Sequence, residues 1–260
     1  MPHSLIDSHC HLTSPELLPR AGAVLDRARA AGVTQFVTIA TDLADAEAAF
    51  ALGAKYPDVH AACGIHPHEA AKAPSGWEEV LEKHASDPRV HAVGEMGLDY
   101  HYDFADRPTQ HAVFRRQIEI AARANRPVII HCREAHRDVL AILADCPRPQ
   151  NVVFHCFTGS EAEAAELIDL GYWISLTGVV TFRRSDELRR VANRIPPDRL
   201  MIETDCPYLS PEPLRNVRPN EPAHLVHTAA CIARARGLTV DELAALTTEN
   251  ARRFFHLPQR

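Results

Sequence analysis

The chain of 260 residues, 46% hydrophobic and 24% charged, has globular proportions and a length that suits one α/β barrel domain. Its net charge of −6 argues against a broad basic face, the usual basis of electrostatic binding to nucleic acid. No apolar run approaches the roughly 20 residues of a membrane span, and the stretch from Met1 to Asp7 has neither a basic patch nor a long apolar segment. A soluble, cytoplasmic protein without a secretion signal is therefore expected.

The first strand candidate, residues 5–10, leads into the motif Ile6-Asp7-Ser8-His9-Cys10-His11-Leu12. Alternate side chains on a strand share a face, so His9 and His11 project together while Cys10 turns away, a geometry that suits one metal ion. Further apolar, β-branched runs follow at 35–40, 59–65, 90–95, 127–132, 152–157, 172–176 and 200–204. Segments of helical period separate them, at 16–31, 43–54, 76–85, 108–125, 136–144, 161–170, 185–194 and 221–236. Strands alternating with helices at this spacing imply right-handed βαβ units, a parallel sheet and an α/β TIM (β/α)8 barrel, with residues 1–260 as a single domain.

The helices carry their own punctuation. Phe114, Ile118, Ala121 and Ala122 form an apolar stripe that Asn125-Arg126-Pro127 stops, and Gly171 follows the stripe of Ala164, Leu167 and Ile168. Thr239-Val240-Asp241-Glu242 reads as a capping box opening a last helix with Leu243 and Leu246 inward. The proline-rich stretch 207–222 follows the last strand, where a barrel's catalytic face lies.

Six metal-competent residues sit at the carboxyl ends of five of these strands: His9, His11, Glu95, His131, His155 and Asp205. Barrel enzymes place their catalytic groups there, and four imidazoles with two carboxylates fit two divalent cations. Cys10, Cys132, Cys156 and Cys206 neighbour these positions among seven cysteines, with no C-x-x-C pair. Period-2 alternation turns them away from the ligand face, so they read as small buried hydrophobes in a reducing compartment. The basic side chains are nearly all arginine, since Lys55, Lys72 and Lys83 are the only lysines, and arginine's planar fork suits phosphate.

The ordered motifs IDSHCHL, GIHPH, VGEMGLDY, HCREA, HCFTG and ETDCPYLSP, through to the closing TTENARRFF, resemble the series of the TatD family of metal-dependent deoxyribonucleases, within the amidohydrolase-like superfamily. The resemblance spans nearly the whole chain and implies a TIM barrel with a two-metal site. It implies that His9, His11 and Asp205 hold one ion and His131 and His155 the other, with Glu95 bridging. None of the three lysines ends a strand, so a carboxylated lysine of the kind that bridges metals in superfamily relatives has no candidate here. Magnesium or manganese is the implied activating metal; imidazole ligands also suit zinc or another first-row ion.

The same resemblance makes His66 a substrate-phosphate contact and His68 structural. Arg133 shares the face of His131 and either contacts phosphate or pairs with Glu134. Arg183, Arg215 and Arg218 lie in the last two βα loops, where barrels grip phosphate, or are solvated loop residues; the Arg115-Arg116 and Arg189-Arg190 pairs read as surface charges on helices. The loop 213–222 departs from the family's R-G-K-x-N-E-P pattern, lacking its Gly-Lys pair, and this bears on substrate choice.

The expected activity is phosphodiester hydrolysis in DNA by a metal-activated water, 3′ to 5′ from single-stranded ends, with RNA as a second substrate, in DNA repair or degradation. Asp205 would orient or deprotonate that water, alongside Glu95 as a catalytic ligand, with Glu203 supporting Asp205 from behind. No membrane and no obligate protein partner are called for. Three alternatives stay open: a bimetallic hydrolase of an amide, lactone or phosphotriester; a non-catalytic barrel scaffold, which would have lost ligands; and a structural zinc protein, whose sites are usually closed cages with cysteine.

Overall fold

The computed structural model describes residues 4–259; Met1, Pro2 and His3, on which part of the N-terminal reading rests, lie outside the described residues. Among the described residues the strands are β1 (Leu5–Cys10), β2 (Val33–Ile39), β3 (Val59–Cys63), β4 (Val90–Asp99), β5 (Val128–Arg133), β6 (Val152–Phe154), β7 (Trp173–Leu176) and β8 (Leu200–Ile202). The helices are α1 (Ala21–Ala30), α2 (Leu43–Lys55), α3 (Trp77–Ser86), α4 (Arg107–Arg123), α5 (His136–Asp145), α6 (Glu161–Asp169), α7 (Asp186–Arg194), α8 (Leu225–Arg236) and α9 (Val240–Phe255). The strands follow one another in sheet order from β1 to β8 with helices between them, which is the TIM-barrel fold that the alternation implies.

Several strand boundaries differ from the sequence reading: β3 ends at Cys63 and β6 at Phe154, two and three residues short of the expected ends, so His155 lies just past its strand, and two further differences bear on the site. Strand β4 continues to Asp99, four residues past the expected end, because Gly94 and Gly97 let its backbone pass close to β5. Both have positive φ (147° and 146°), and a Cβ at either would run into the backbone of Ile129 or His131. Strand β8 ends at Ile202, so Thr204 and Asp205 belong to the segment beyond it.

Packing divides the described residues into two compact units: Ile39–His155, and the chain up to Thr38 together with everything from Cys156 onward. In the latter, β1 pairs with β2 and β7 with β8, all parallel. The segment past β8 runs alongside β1: Asp205 N–H donates to the His9 carbonyl (3.0 Å) and His11 N–H to the Cys206 carbonyl (2.8 Å). Buried Asp7 reinforces this seam by accepting from Thr204 N–H (2.9 Å) and Thr204 Oγ1 (2.5 Å). Helix α9, opened by the expected Thr239/Glu242 capping box, closes the opposite end of these strands. Its Thr248 hydroxyl donates to the Ser4 carbonyl and its Asn250 amide to the Leu200 carbonyl, while the Phe254 ring meets Trp173 edge-on at 5.4 Å.

The other unit holds β3 to β6, again parallel. Helix α4 buries Phe114, Ile118 and Ala121 as expected, but Ala122 is only half-buried. At about 100° per residue, Gln110 and Gln117 extend the buried face to the side away from Ala122. Both amides hold backbone: Gln117 accepts from Ile65 N–H (2.7 Å) and donates to the Ile65 carbonyl (2.9 Å). Gln110 does the same at Asp99, at 2.8 and 3.0 Å. The chain just before His66 and the end of β4 are thereby fixed from the same helix. Among the described residues no helix is long and apolar enough to cross a membrane.

Candidate functional site

The end of β1 brings the first three expected ligands together. His9 Nε2 and His11 Nε2 are 3.3 Å apart, and Asp205 Oδ1 lies 3.3 Å from His11 Nε2 and 3.8 Å from His9 Nε2. All three side chains are buried. Asp205 has φ of 54°, in the left-handed region that aspartate tolerates better than most residues, and its place is set by the seam between β1 and the segment past β8. Glu203, expected behind Asp205, is buried and accepts from the backbone N–H of Cys156 at 2.7 Å, so it anchors the start of the loop after β6.

In the other unit Glu95 is the hub. It sits within β4 rather than at its end, and its Oε2 is 2.7 Å from His155 Nε2, 3.4 Å from His131 Nδ1 and 3.8 Å from His66 Nε2. Burial opposes ionisation of this carboxyl, but the neighbouring His155, His66 and His131 outweigh it and hold Glu95 well below the usual carboxylate range.

The hydrogen bonds specify how the rings are turned. His131 Nε2 lies 3.0 Å from Asp99 Oδ2, and His68 Nε2 is 2.9 Å from the same oxygen, so each ring donates there. Donation through Nε2 leaves the His131 Nδ1 lone pair facing Glu95 and His155, as a metal ligand requires. His66 is the reverse case: its Nδ1 accepts from His68 N–H at 3.0 Å, so in the neutral ring the proton is on Nε2, which faces His131 and Glu95. That makes His66 a donor toward an anion.

Asp99 is the residue that sequence reasoning missed. Glu95, Gly97 and Asp99 share one strand face by period 2, and the motif VGEMGLDY contains all three; ending the strand at Glu95 hid the relationship. Gln110 and Gln117, polar residues seven apart on an otherwise apolar helix face, were the other available sign.

The donor sets fit divalent cations. Ligand atoms about 2.0–2.1 Å from a tetrahedral ion lie about 3.3 Å from one another. The three atoms from His9, His11 and Asp205 and the three from Glu95, His131 and His155 each form compact groups with edges of 2.7–3.8 Å. A carboxylate buried among imidazoles also needs positive charge beside it, which a cation supplies.

The remaining candidates are distributed as follows. Arg133 is exposed, makes no ion pair among the described residues, and places its guanidinium 4.9 Å from the Tyr102 ring centre; Glu134 pairs with His101 instead. Arg215 lies 3.6 Å over the Phe182 ring and Arg218 donates to the Arg215 and Val217 carbonyls, so both help hold the loop after β8. Asn220, fully buried, ties that loop down by donating to the Thr204 and Tyr208 carbonyls. Arg115, Arg116 and Arg190 pair with acids on exposed surface, whereas Arg189 also donates to the Val180 and Phe182 carbonyls. Cys10 and Cys206 are buried as expected, whereas Cys132, next to last in β5, and Cys156, two residues past β6, are only partly covered.

Comparison with known proteins places these groups in context. Residues 6–256 match the family model described as TatD related DNase. The chain is 38% identical over 257 residues to the uncharacterized metal-dependent hydrolase YabD of Bacillus subtilis, covering 97% of this chain and 99% of that one. It is 37% identical to the 3′-5′ ssDNA/RNA exonuclease TatD of Erwinia tasmaniensis, covering 97% and 100%. Among solved structures, the TatD homologue YjjV from Escherichia coli superposes with a TM-score of 0.92 at 31% identity, covering 99% of this chain and 100% of that chain.

Proposed function

Because the chain belongs to the TatD family and is a metal-dependent hydrolase, we propose that it hydrolyses phosphodiester bonds in nucleic acid, removing nucleotides 3′ to 5′ from single-stranded DNA and from RNA. The observation that carries the reading is the pair of compact ligand groups, His9/His11/Asp205 and Glu95/His131/His155, each sized for a divalent cation. We assign two ions to one hydrolase domain of 260 residues, magnesium or manganese being the activating pair and zinc or another first-row ion also suiting the imidazoles. The name of the Erwinia relative supports the single-strand polarity.

Divalent cations held there supply Lewis acidity, lowering the pKa of water and offsetting charge on the phosphoryl oxygens. Asp205, with an oxygen beyond the one facing the histidines, orients the attacking water and takes its proton. His66 offers its Nε2–H as a hydrogen-bond donor to a phosphate oxygen, and Arg133, Arg215 and Arg218 each offer phosphate the N–H donors that their own contacts leave over. Seven cysteines, all free, suit the reducing cytoplasm in which such an enzyme would act.

The test is digestion of single-stranded oligonucleotides labelled at one end or the other, with manganese and with a chelator. Stepwise loss of nucleotides from the 3′ end, abolished by chelation, is expected. Turnover of lactones or amides with no release of nucleotides would overturn the reading.

A further inference from the structure

Between Asp99 and α4 the chain exposes two large aromatic rings, Tyr102 at 43% and Phe104 at 59% of their free surface. Water-exposed aromatics of this size need an explanation when they stand in a group, and these do. Their centres are 5.6 Å apart with planes 39° from parallel. Both lean on His68, whose ring centre is 5.4 Å from Tyr102 and 4.7 Å from Phe104. His68 in turn shares Asp99 with His131, so the rings stand beside a metal-ligand histidine.

The group is held in place and carries a positive charge. Asp99 uses its second oxygen to accept from the backbone N–H groups of His101 (2.9 Å) and Tyr102 (3.0 Å), fixing the start of the loop. Arg133 lies over one face of the Tyr102 ring, 4.9 Å from its centre, and has no carboxylate partner among the described residues. Flat apolar faces next to an unneutralised guanidinium match the two halves of a nucleotide, its base and its phosphate.

We propose that Tyr102 and Phe104 form a stacking platform for unpaired bases at the end of a nucleic-acid strand, with Arg133 taking an adjacent phosphate. The proposal rests on the nuclease reading and adds a source of its strand preference. A base must leave its helix to lie on these rings, so an unpaired end binds without that cost and a duplex end does not. Every base has a π face, so the platform is indifferent to sequence.

The experiment measures binding by fluorescence anisotropy in chelator, so that cleavage plays no part. Two strands are compared: a six-nucleotide oligothymidylate, and the same strand with abasic sugars at its two 3′-terminal positions. The native protein should bind the intact strand at least about fivefold more tightly. In Tyr102→Ala and Phe104→Ala that ratio should fall toward one, while Tyr102→Phe, which keeps the face, should retain it. Arg133→Gln should weaken both strands alike and flatten the salt dependence. An unchanged ratio in both alanine variants, or no preference in the native protein, overturns the platform. Failure of the manganese-loaded protein to release nucleotides from any strand overturns the nuclease reading instead, and the anisotropy ratio still decides the platform.

Discussion

Asp99 Oδ2 accepts from His131 Nε2 at 3.0 Å, the bond that turns the Nδ1 of this ring toward Glu95. Burial works against ionisation of Asp99, yet the hydrogen bonds from His131 and His68 hold its carboxyl well below the usual range, so it is charged at neutral pH. A carboxylate behind a ligating imidazole both orients the ring and makes it more basic. Asp99→Asn keeps the size but can present its NH₂ group to Nε2, which favours the wrong tautomer. Metal affinity measured by calorimetry should fall about 10- to 100-fold. Activity at saturating manganese should recover in large part, which separates positioning from chemistry; unchanged affinity would rule the role out.

The two ligand groups set an expectation for metal content. Elemental analysis of the manganese-loaded protein should give two equivalents, and Glu95→Ala and Asp205→Ala should each lose at least one of them. Each should also cut nuclease turnover by about a hundredfold or more. Ions that bind only the folded chain stabilise it by mass action, about 2.7 kcal/mol per ion at a hundredfold excess over Kd. Stripping the metals should therefore lower Tm in the native protein and have less effect in either variant. A melting curve indifferent to chelator would count against both groups being metal sites.

The strand and helix pattern was legible because barrel strands are continuous apolar runs and the helices carry strong stops, such as Asn125-Arg126-Pro127 and the Thr239 capping box. The candidate ligands stood out because each lies in or just past such a run. Relations between distant segments were not. Nothing local says that Asp205 lies beside His9 through two backbone bonds, or that Glu203 holds Cys156. The extent of β4 was not legible either: glycine weakens a strand pattern, whereas Gly94 and Gly97 serve this strand by allowing close approach to β5.

Gln117 gives a prediction about how the site is built. Its amide satisfies both backbone groups of Ile65, buried and immediately before His66. Gln117→Ala leaves a buried N–H and C=O without these partners, at about 1–3 kcal/mol for each group. For a chain of this size Tm should drop by several degrees. Because the strand end is no longer pinned, His66 should lose its alignment, and KM for oligonucleotides should rise along with the instability. Gln117→Glu, which retains the acceptor, should be intermediate in Tm. A variant as stable as the native protein would show that water replaces the amide.

Cys63, at the end of β3, makes the pH dependence of folding testable away from the candidate ligand groups. It is fully buried, and burial pushes its thiol up from the ordinary 9.0 to about 12, against a weaker opposing effect of Arg126. The folded state therefore holds this proton more tightly than the unfolded chain does. The resulting stabilisation is complete below pH 9 and is lost progressively as pH rises toward 12. Between pH 8 and pH 10.5 the native protein should lose about 2 kcal/mol through this one group, by integration of the linkage relation. Cys63→Ala removes the titration, so urea unfolding should show a smaller alkaline loss in the variant, even though its stability at pH 8 is lowered by the missing sulfur. Equal losses in the two proteins would mean that the thiol titrates as it does in the open chain, and that β3 is less well sealed than its packing indicates.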